Sequence, residues 1–301
     1  MRVNGVEIGD EDFAEAFPMI AGRVLITAKD RKWALTAARS ATGFASSIIL
    51  SPAEAGIEGR IVPPRLTPDG RPGVMIQIYH RTGLELKVQM INRLSQCVLT
   101  CATASAFDAL PQAKKRIKVG DKIRLFGDGF EKRDTLNGRK IWRVPVMEGE
   151  FIIEHRFGVV RAIAGGNFII MAESRDSGLR AAEEAVRAIR RVQGVILPFP
   201  GGIIRSGSKV GSMKYKLPAS TNQPFCPTLR DVLPDSQVPG GVKSVYELVF
   251  NGLTPSLIRK STAVGIQAAV KVPGVKKITA VNFGGKLGPV QINLREALEG
   301  T

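Results

Sequence analysis

The chain has 301 residues, 44% of them hydrophobic and 6% aromatic, with 43 Lys and Arg against 27 Asp and Glu and a net charge of +16. That length and apolar content suffice for about two domains with real cores and exclude a mini-protein that needs staples. The basic excess points to polyanionic partners, yet few aromatics, no RNP-type run and only two His beside three Cys leave nucleic-acid modules and metal fingers without a motif.

Cys97, Cys101 and Cys226 form an odd set without zinc-ribbon or redox spacing, which implies reduced thiols. The first residues, MRVNGVEIGDEDFAEAF, lack the basic-then-apolar order of a signal peptide, and no apolar run approaches ~18 residues. The expectation is a cytoplasmic protein with no membrane segment.

In chain order, Val24–Ala28 reads as a short strand and is followed by a helix with Trp33, Ala37, Ala41 and Phe44 on one face. Ser47–Leu50 then resumes a strand that ends in SPAEAGIE. The turn cluster Pro68–Gly73 introduces a strand over Val74–Tyr79, a helix with Leu84, Val88, Ile91, Leu94 and Val98 inward, and a closing strand at Lys122–Phe126. Residues 111–143 hold 11 Lys and Arg against 4 Asp and Glu and alternate charge with glycine turns, as hairpins at a domain junction do.

The second half repeats this order. Phe168–Ala172 is a strand, Leu179, Ala182, Val186 and Ile189 share a helix face, and Val195–Leu197 is a strand. Leu35 and Leu179 are 144 positions apart, and Leu50 and Leu197 are 147 apart, so two copies differ by a small insertion. Val245–Phe250, a helix over Pro255–Val270 with Leu257, Val264 and Ala268 on one face, and a strand over Lys277–Phe283 complete the copy. The pattern is βαββαβ twice: an α+β fold of duplicated ferredoxin-like lobes, antiparallel sheets with helices on one face. The lobes are expected at 1–157, with the basic hairpin insertion, and at 158–301. The opposite sheet face is expected to be covered by the other half or another subunit.

Two features carry chemistry. GVILPFPGGIIRSGSKVGSMKYK (194–216) is rich in Gly and Lys/Arg and has no acid, so its backbone N–H groups are able to converge on an anion or polar ring, or it is a basic surface loop. Glu247 interrupts the apolar strand VYELVF, sharing a face with Val245 and Val249 while Tyr246, Leu248 and Phe250 take the other. Desolvation there raises a carboxyl pKa toward acid/base use; the alternative is a strand-end Glu in water or paired with Lys or Arg.

The strings NGVEI (4–8), FAEAFPM (13–19), PAEAGIE (52–58), TPDGRPG (67–73), QCVLTC (96–101), FGDGFEK (126–132), AGGNF (164–168), FPGGI (199–203), SGSKVG (206–211), TN (221–222), CPTL (226–229), VYE (245–247) and FGGKLG (283–288) span the chain. In this order they resemble the formylmethanofuran:tetrahydromethanopterin formyltransferase family. The resemblance implies two ferredoxin-like lobes, no tightly bound cofactor, and cytoplasmic homodimers or homotetramers with an active site near a subunit interface. It also implies a formyl group moved between the amine of methanofuran or methylofuran and N5 of tetrahydromethanopterin in the one-carbon metabolism of methanogens and methylotrophs.

By the same resemblance, the VYE glutamate is an acid/base and pterin contact, at Glu247 here. Backbone groups near Gly201, Gly202 and Gly207 are candidates for an oxyanion site, and Ser206, Thr221 and Asn222 for donors to the pterin. Lys209, Glu54 and Asp128 are further substrate-binding candidates. Anionic coenzyme tails give the positive charge a purpose, which leans toward the bacterial branch and the D subunit of a formyltransferase/hydrolase complex. Ala102 and Ser51 depart from the family pattern, where Pro and Cys are expected. A noncatalytic ferredoxin-like module that binds polyanions or RNA, or a structural subunit, is the rival reading; low aromatic content argues against nucleic acid.

Overall fold

The computed structural model describes residues 1–9, 12–282, 284–286 and 288–300. In chain order its strands and helices begin with β1 (Arg2–Val3), β2 (Val6–Ile8), β3 (Phe13–Thr27), α1 (Arg31–Thr42), β4 (Glu54–Val62), β5 (Gly73–His80), α2 (Gly83–Arg93) and β6 (Ser105–Asp108). The basic stretch supplies β7 (Lys115–Ile117), α3 (Gly120–Ile123), β8 (Lys132–Leu136), β9 (Arg139–Val146) and β10 (Gly149–Glu154). Then follow β11 (Phe157–Ala172), α4 (Arg175–Ile189), β12 (Val195–Ile196), β13 (Lys209–Val210), β14 (Ala219–Ser220), β15 (Ser244–Gly252), α5 (Pro255–Ala269), β16 (Val275–Thr279), β17 (Val290–Asn293) and α6 (Leu294–Glu299).

The chain divides into two compact units, residues 19–162 and residues 1–18 with 163–301. The single cut at 157/158 drawn from sequence differs from this division. Residues 1–18 join the later stretch because β2 pairs with β16, Glu7 opposite Lys277, and β17 pairs with the start of β3, Val290 opposite Ala16.

In the unit of residues 19–162, antiparallel pairings give the order β4–β5–β3–β6. β6 is continued by a parallel β10 and then by β9 and β8. One face carries Val24, Ile26, Val74, Ile76 and Ile78 against Ala34, Ala37, Ala38 and Ala41 of α1 and against Leu86, Met90, Leu94 and Val98. Alanines let α1 lie close to the sheet, and its N-terminus is capped by the Asp30 carboxylate, which accepts from Trp33 N at 3.0 Å. Buried Arg93 donates to the carbonyls of Ala41 and Gly43 at 2.7 and 2.9 Å, which satisfies the open C-terminus of α1.

Several expectations are corrected here. Ser47–Leu50 is a turn, not a strand: Ser51 N donates to Ser47 O at 2.8 Å, the Ser51 hydroxyl donates to the same oxygen, and Leu50 is exposed. Lys122–Phe126 lies in α3 and the 3-10 turn after it, and the closing strand is β6. On α2 the inward positions are Leu86 and Met90, with Leu84 and Val88 exposed. Phe44 falls beyond α1 and is exposed, at φ +44°. Strand β3 is far longer than Val24–Ala28, because β5, β6 and β17 offer it partners along its length.

In the other unit the order is β12–β15–β11–β16, with β2 and β1 beyond. Phe168, Ile170, Leu248 and Phe250 face α4 and α5, packing on Ala181, Ala182, Ala185, Ile258, Ile266 and Ala269. On α5 the buried stripe runs through Ile258 and Ile266, while the expected Leu257, Val264 and Ala268 are only half-buried. The opposite face was expected to need the other half or a subunit; here Ile169, Met171 and Val245 pack against Phe225, Val238 and Val242 of the chain's own 203–243 segment. Strand β16 ends at Thr279, and Phe283, the expected end of that strand, lies outside the described residues.

Candidate active site

β15 lies between β11 and β12, with Glu247 opposite Ile169 on the face that carries Val245 and Val249. The Gly-rich stretch crosses this face. Ile204 and Glu247 exchange backbone hydrogen bonds: Ile204 N donates to Glu247 O at 2.8 Å and Glu247 N to Ile204 O at 3.1 Å. Three residues later Gly207, at φ +75°, turns the chain against Asn222. A Cβ at Gly207 would come within 2.4 Å of the Asn222 Cβ, so only glycine fits without a shift. Asn222 N and the Thr221 hydroxyl both donate to Ser206 O, at 3.0 and 3.1 Å, tying the two segments together.

Glu247 is 2% exposed. The Ser208 hydroxyl donates to its Oε1 at 2.5 Å, and its Oε2 is buried without a hydrogen-bond partner. Burial pushes the carboxyl up to about 7, against the Ser208 hydroxyl and backbone N–H, which favour the charged form. A small cavity of about 30 Å³ is lined by Glu247, Ser206, Gly207, Asn222, Phe225 and Cys226, among others. Asn222 Nδ2 is also buried without a partner. A buried acid and a buried amide therefore each present an unused polar atom where they line one cavity. Native proteins rarely leave such atoms unsatisfied, and where they do a ligand or catalytic role is the usual cause.

The other expected site residues are placed less uniformly. Gly201 and Gly202 form a 3-10 turn outside the cavity lining, and Gly202 N donates to Phe199 O at 2.8 Å, so that N–H is not free for an oxyanion. Lys209 Nζ donates to Gln223 Oε1 at 2.6 Å. Glu54 and Asp128 belong to the unit of residues 19–162. Glu54 is buried and accepts from Ile48 N at 3.1 Å, whereas Asp128 sits exposed in a turn at φ +51°.

Sequence reasoning missed Ser208, although it stands within the SGSKVG string; nothing in its spacing marks it as the partner of Glu247. It also missed a buried polar group in the unit of residues 19–162. There Arg23 Nε and Nη2 donate to Glu58 Oε1 and Oε2 at 2.6 and 2.8 Å, and Gln77 Nε2 donates to Glu58 Oε1 at 2.6 Å. The Tyr79 hydroxyl donates to Gln77 Oε1, and burial together with the Glu58 and Glu54 carboxylates holds its pKa well above the usual phenol range.

A family model described as formylmethanofuran-tetrahydromethanopterin formyltransferase matches residues 1–146, and one described as "FTR, proximal lobe" matches residues 149–297. The chain belongs to the formylmethanofuran-tetrahydromethanopterin formyltransferase family. Curated relatives named as this formyltransferase are 55% identical in Methanopyrus kandleri, over 98% of this chain and 99% of the relative, and 56% identical in Archaeoglobus fulgidus, with the same coverage. The solved Methanosarcina barkeri formyltransferase superposes with a TM-score of 0.95 at 51% identity, over 99% of this chain and all of that one. A chain of the Methylorubrum extorquens formyltransferase/hydrolase complex, solved with methylofuran, superposes at 0.94 with 40% identity, over 99% and 98% of the two chains. The mixed α+β architecture with mostly antiparallel pairing is thus that of the solved formyltransferase. Identity is thus 51–56% to these formyltransferases and 40% to the chain of the formyltransferase/hydrolase complex.

Proposed function

We propose that this chain moves a formyl group reversibly between the amine of a methanofuran-type coenzyme and N5 of a tetrahydromethanopterin-type coenzyme, with Glu247 as the acid/base. Full-length identity to relatives named as this transferase supports the reaction and leaves a noncatalytic polyanion-binding module without support of its own. The observation that carries the site is the Glu247 carboxyl, buried, titrating about pH 7, with Oε2 unpartnered on a cavity.

The chemistry needs one proton moved between two nitrogens. The pterin N5 attacks the formyl carbon, a tetrahedral oxyanion forms, and the C–N bond to the furan coenzyme breaks as its nitrogen takes up a proton. Glu247 Oε2 accepts the N5 proton and delivers it to the leaving amine. A carboxyl whose pKa burial pushes up to about 7 exchanges a proton near neutral pH, which suits transfer in both directions. The free Asn222 amide is the donor we assign to the developing oxyanion, in place of the committed Gly202 N–H. Ser206 and Gly207 line the cavity, Thr221 braces Ser206 through its hydroxyl, and Lys209 is the cation we assign to an anionic coenzyme tail, which would have to draw it from Gln223.

The matching strand orders of the two units support reading them as duplicated ferredoxin-like lobes, β4–β5–β3–β6 against β12–β15–β11–β16. Cytoplasmic location, a homodimer or homotetramer, and membership of a formyltransferase/hydrolase complex complete the proposal. Among the described residues no helix is long and apolar enough to cross a membrane.

The test is a spectrophotometric formyl-transfer assay on the wild type and on Glu247→Gln, with circular dichroism and thermal unfolding as fold checks. The expected result is transfer by the wild type and a folded variant slower by about 10²- to 10⁴-fold. A folded variant at full rate removes Glu247 from the mechanism. No transfer by the folded wild type removes the reaction.

A further inference from the structure

We propose that Ser208 is a positioning residue for this reaction: its hydroxyl holds Oε1 of Glu247 and so leaves Oε2, the unpartnered oxygen of a residue that lines the cavity with Asn222, as the atom that carries the proton. This rests on the formyl-transfer reading of the same site and adds a residue that does not touch the reacting atoms.

Geometry supports the assignment from three sides. Ser208 is held on its N-terminal side by the Ile204–Glu247 backbone exchange and the Gly207 turn, and on its C-terminal side by β13, where Lys209 pairs with Ser220. The hydroxyl therefore approaches β15 from a fixed backbone rather than a loose loop. Its bond to Glu247 is 2.5 Å, the length of a charge-assisted O–H···O contact. The two carboxyl oxygens are made unequal: one is occupied, the other has no partner. A carboxyl with one oxygen tethered loses its rotational freedom and keeps a single oxygen available to carry the proton, which is the preorganisation that proton transfer needs.

The same bond tunes the site. A hydroxyl donor favours the carboxylate over the acid, opposing the burial that favours the acid. The other ionisable side chains that line the cavity are Arg205, which is exposed, and the Cys226 thiol, whose Sγ lies within 3.5 Å of Asn222 O. From β11 the neighbour is the apolar Ile169, and among the described residues no second carboxylate and no His lines the cavity. Lys209, next in sequence, is engaged with Gln223. Ser208 is thus the donor through which the titration of Glu247 is adjusted.

The experiment compares wild type, Ser208→Ala and Ser208→Thr as full-length protein. Two readouts are taken: the pH profile of kcat for formyl transfer, and the titration of the Glu247 carboxyl by infrared difference spectroscopy against Glu247→Gln, which needs no turnover. Loss of a hydrogen bond to a charged group should move the Glu247 titration upward in Ser208→Ala by about one pH unit. The acid limb of the kcat profile moves with it and the plateau falls, while Ser208→Thr keeps both near wild type. Thermal unfolding of each variant separates this from a folding defect. An unmoved Glu247 titration in folded Ser208→Ala overturns the proposal, as does a Ser208→Thr variant that titrates like Ser208→Ala. A titration that shifts while the kcat profile stays put leaves the hydrogen bond intact as a fact but overturns its role in transfer, and with it the assignment of Glu247.

Discussion

Burial of Glu247 couples stability to pH as well as serving the proposed chemistry. Folding raises its carboxyl from 4.5 to about 7. Between those values the native state keeps a proton that the unfolded chain has released. The native state is therefore penalised increasingly as pH rises through that window, and above it by a constant amount on the order of 3 kcal/mol. Glu247→Gln has nothing to ionise. Urea unfolding at about pH 5 and about pH 8 should show the wild type losing roughly that amount relative to the variant between the two; parallel pH curves would show that the buried acid carries no such penalty. The Arg23–Glu58 pair stabilises its unit through hydrogen bonds. Its carboxylate is satisfied by Arg23 and Gln77, and Glu58→Ala leaves the guanidinium and the amide without it. A loss of about 3 kcal/mol in denaturant unfolding is expected, with Glu58→Gln costing less.

Among the elements, the 203–222 segment decides whether β15 is a site or only a strand. β15 supplies the acid, but the free oxygen, the Ser208 donor and the Asn222 amide exist because this segment folds back over the sheet face. Gly207 is the joint. Gly207→Ala adds a Cβ 2.4 Å from that of Asn222 at a positive φ, so the segment has to shift. A stability loss of about 1–3 kcal/mol is expected, together with a fall in kcat larger than that stability loss would cause at a temperature where the variant is folded. A variant with full kcat and reduced melting temperature would show that Asn222 and Ser208 need no such placement.

For the whole molecule the dominant fact is its charge of +16. A basic protein raises the local concentration of anionic coenzymes, and salt weakens that attraction. KM for a furan coenzyme with a carboxylate-bearing tail should rise roughly three- to tenfold as ionic strength goes from about 0.05 to about 0.5 M, while KM for a tail-less furfurylamine analogue stays nearly level. Equal salt responses for the two substrates would assign the charge to another partner.

The sequence by itself determined the order strand, helix, strand in each half, because apolar periodicity and helix caps are local. Asp30, Thr82, Ser174 and Thr254 each cap the helix that follows. It also determined that Glu247 is anomalous, since an acid inside VYELVF conflicts with its neighbours whatever surrounds the strand, and the ordered strings were enough to suggest the family. Tertiary structure decided what local pattern leaves open. Ser47–Leu50 has strand-like residues but lies in a turn closed by Ser51. Residues 1–18 join the unit of residues 163–301 through pairings that connect the two ends of the chain. Which carboxyl oxygen is held and which amide is free depend on segments about 15 to 45 residues apart meeting within hydrogen-bond distance. Residue types fix which donors and acceptors exist; only the packed chain fixes which of them remain unused, and a catalytic site is built from those.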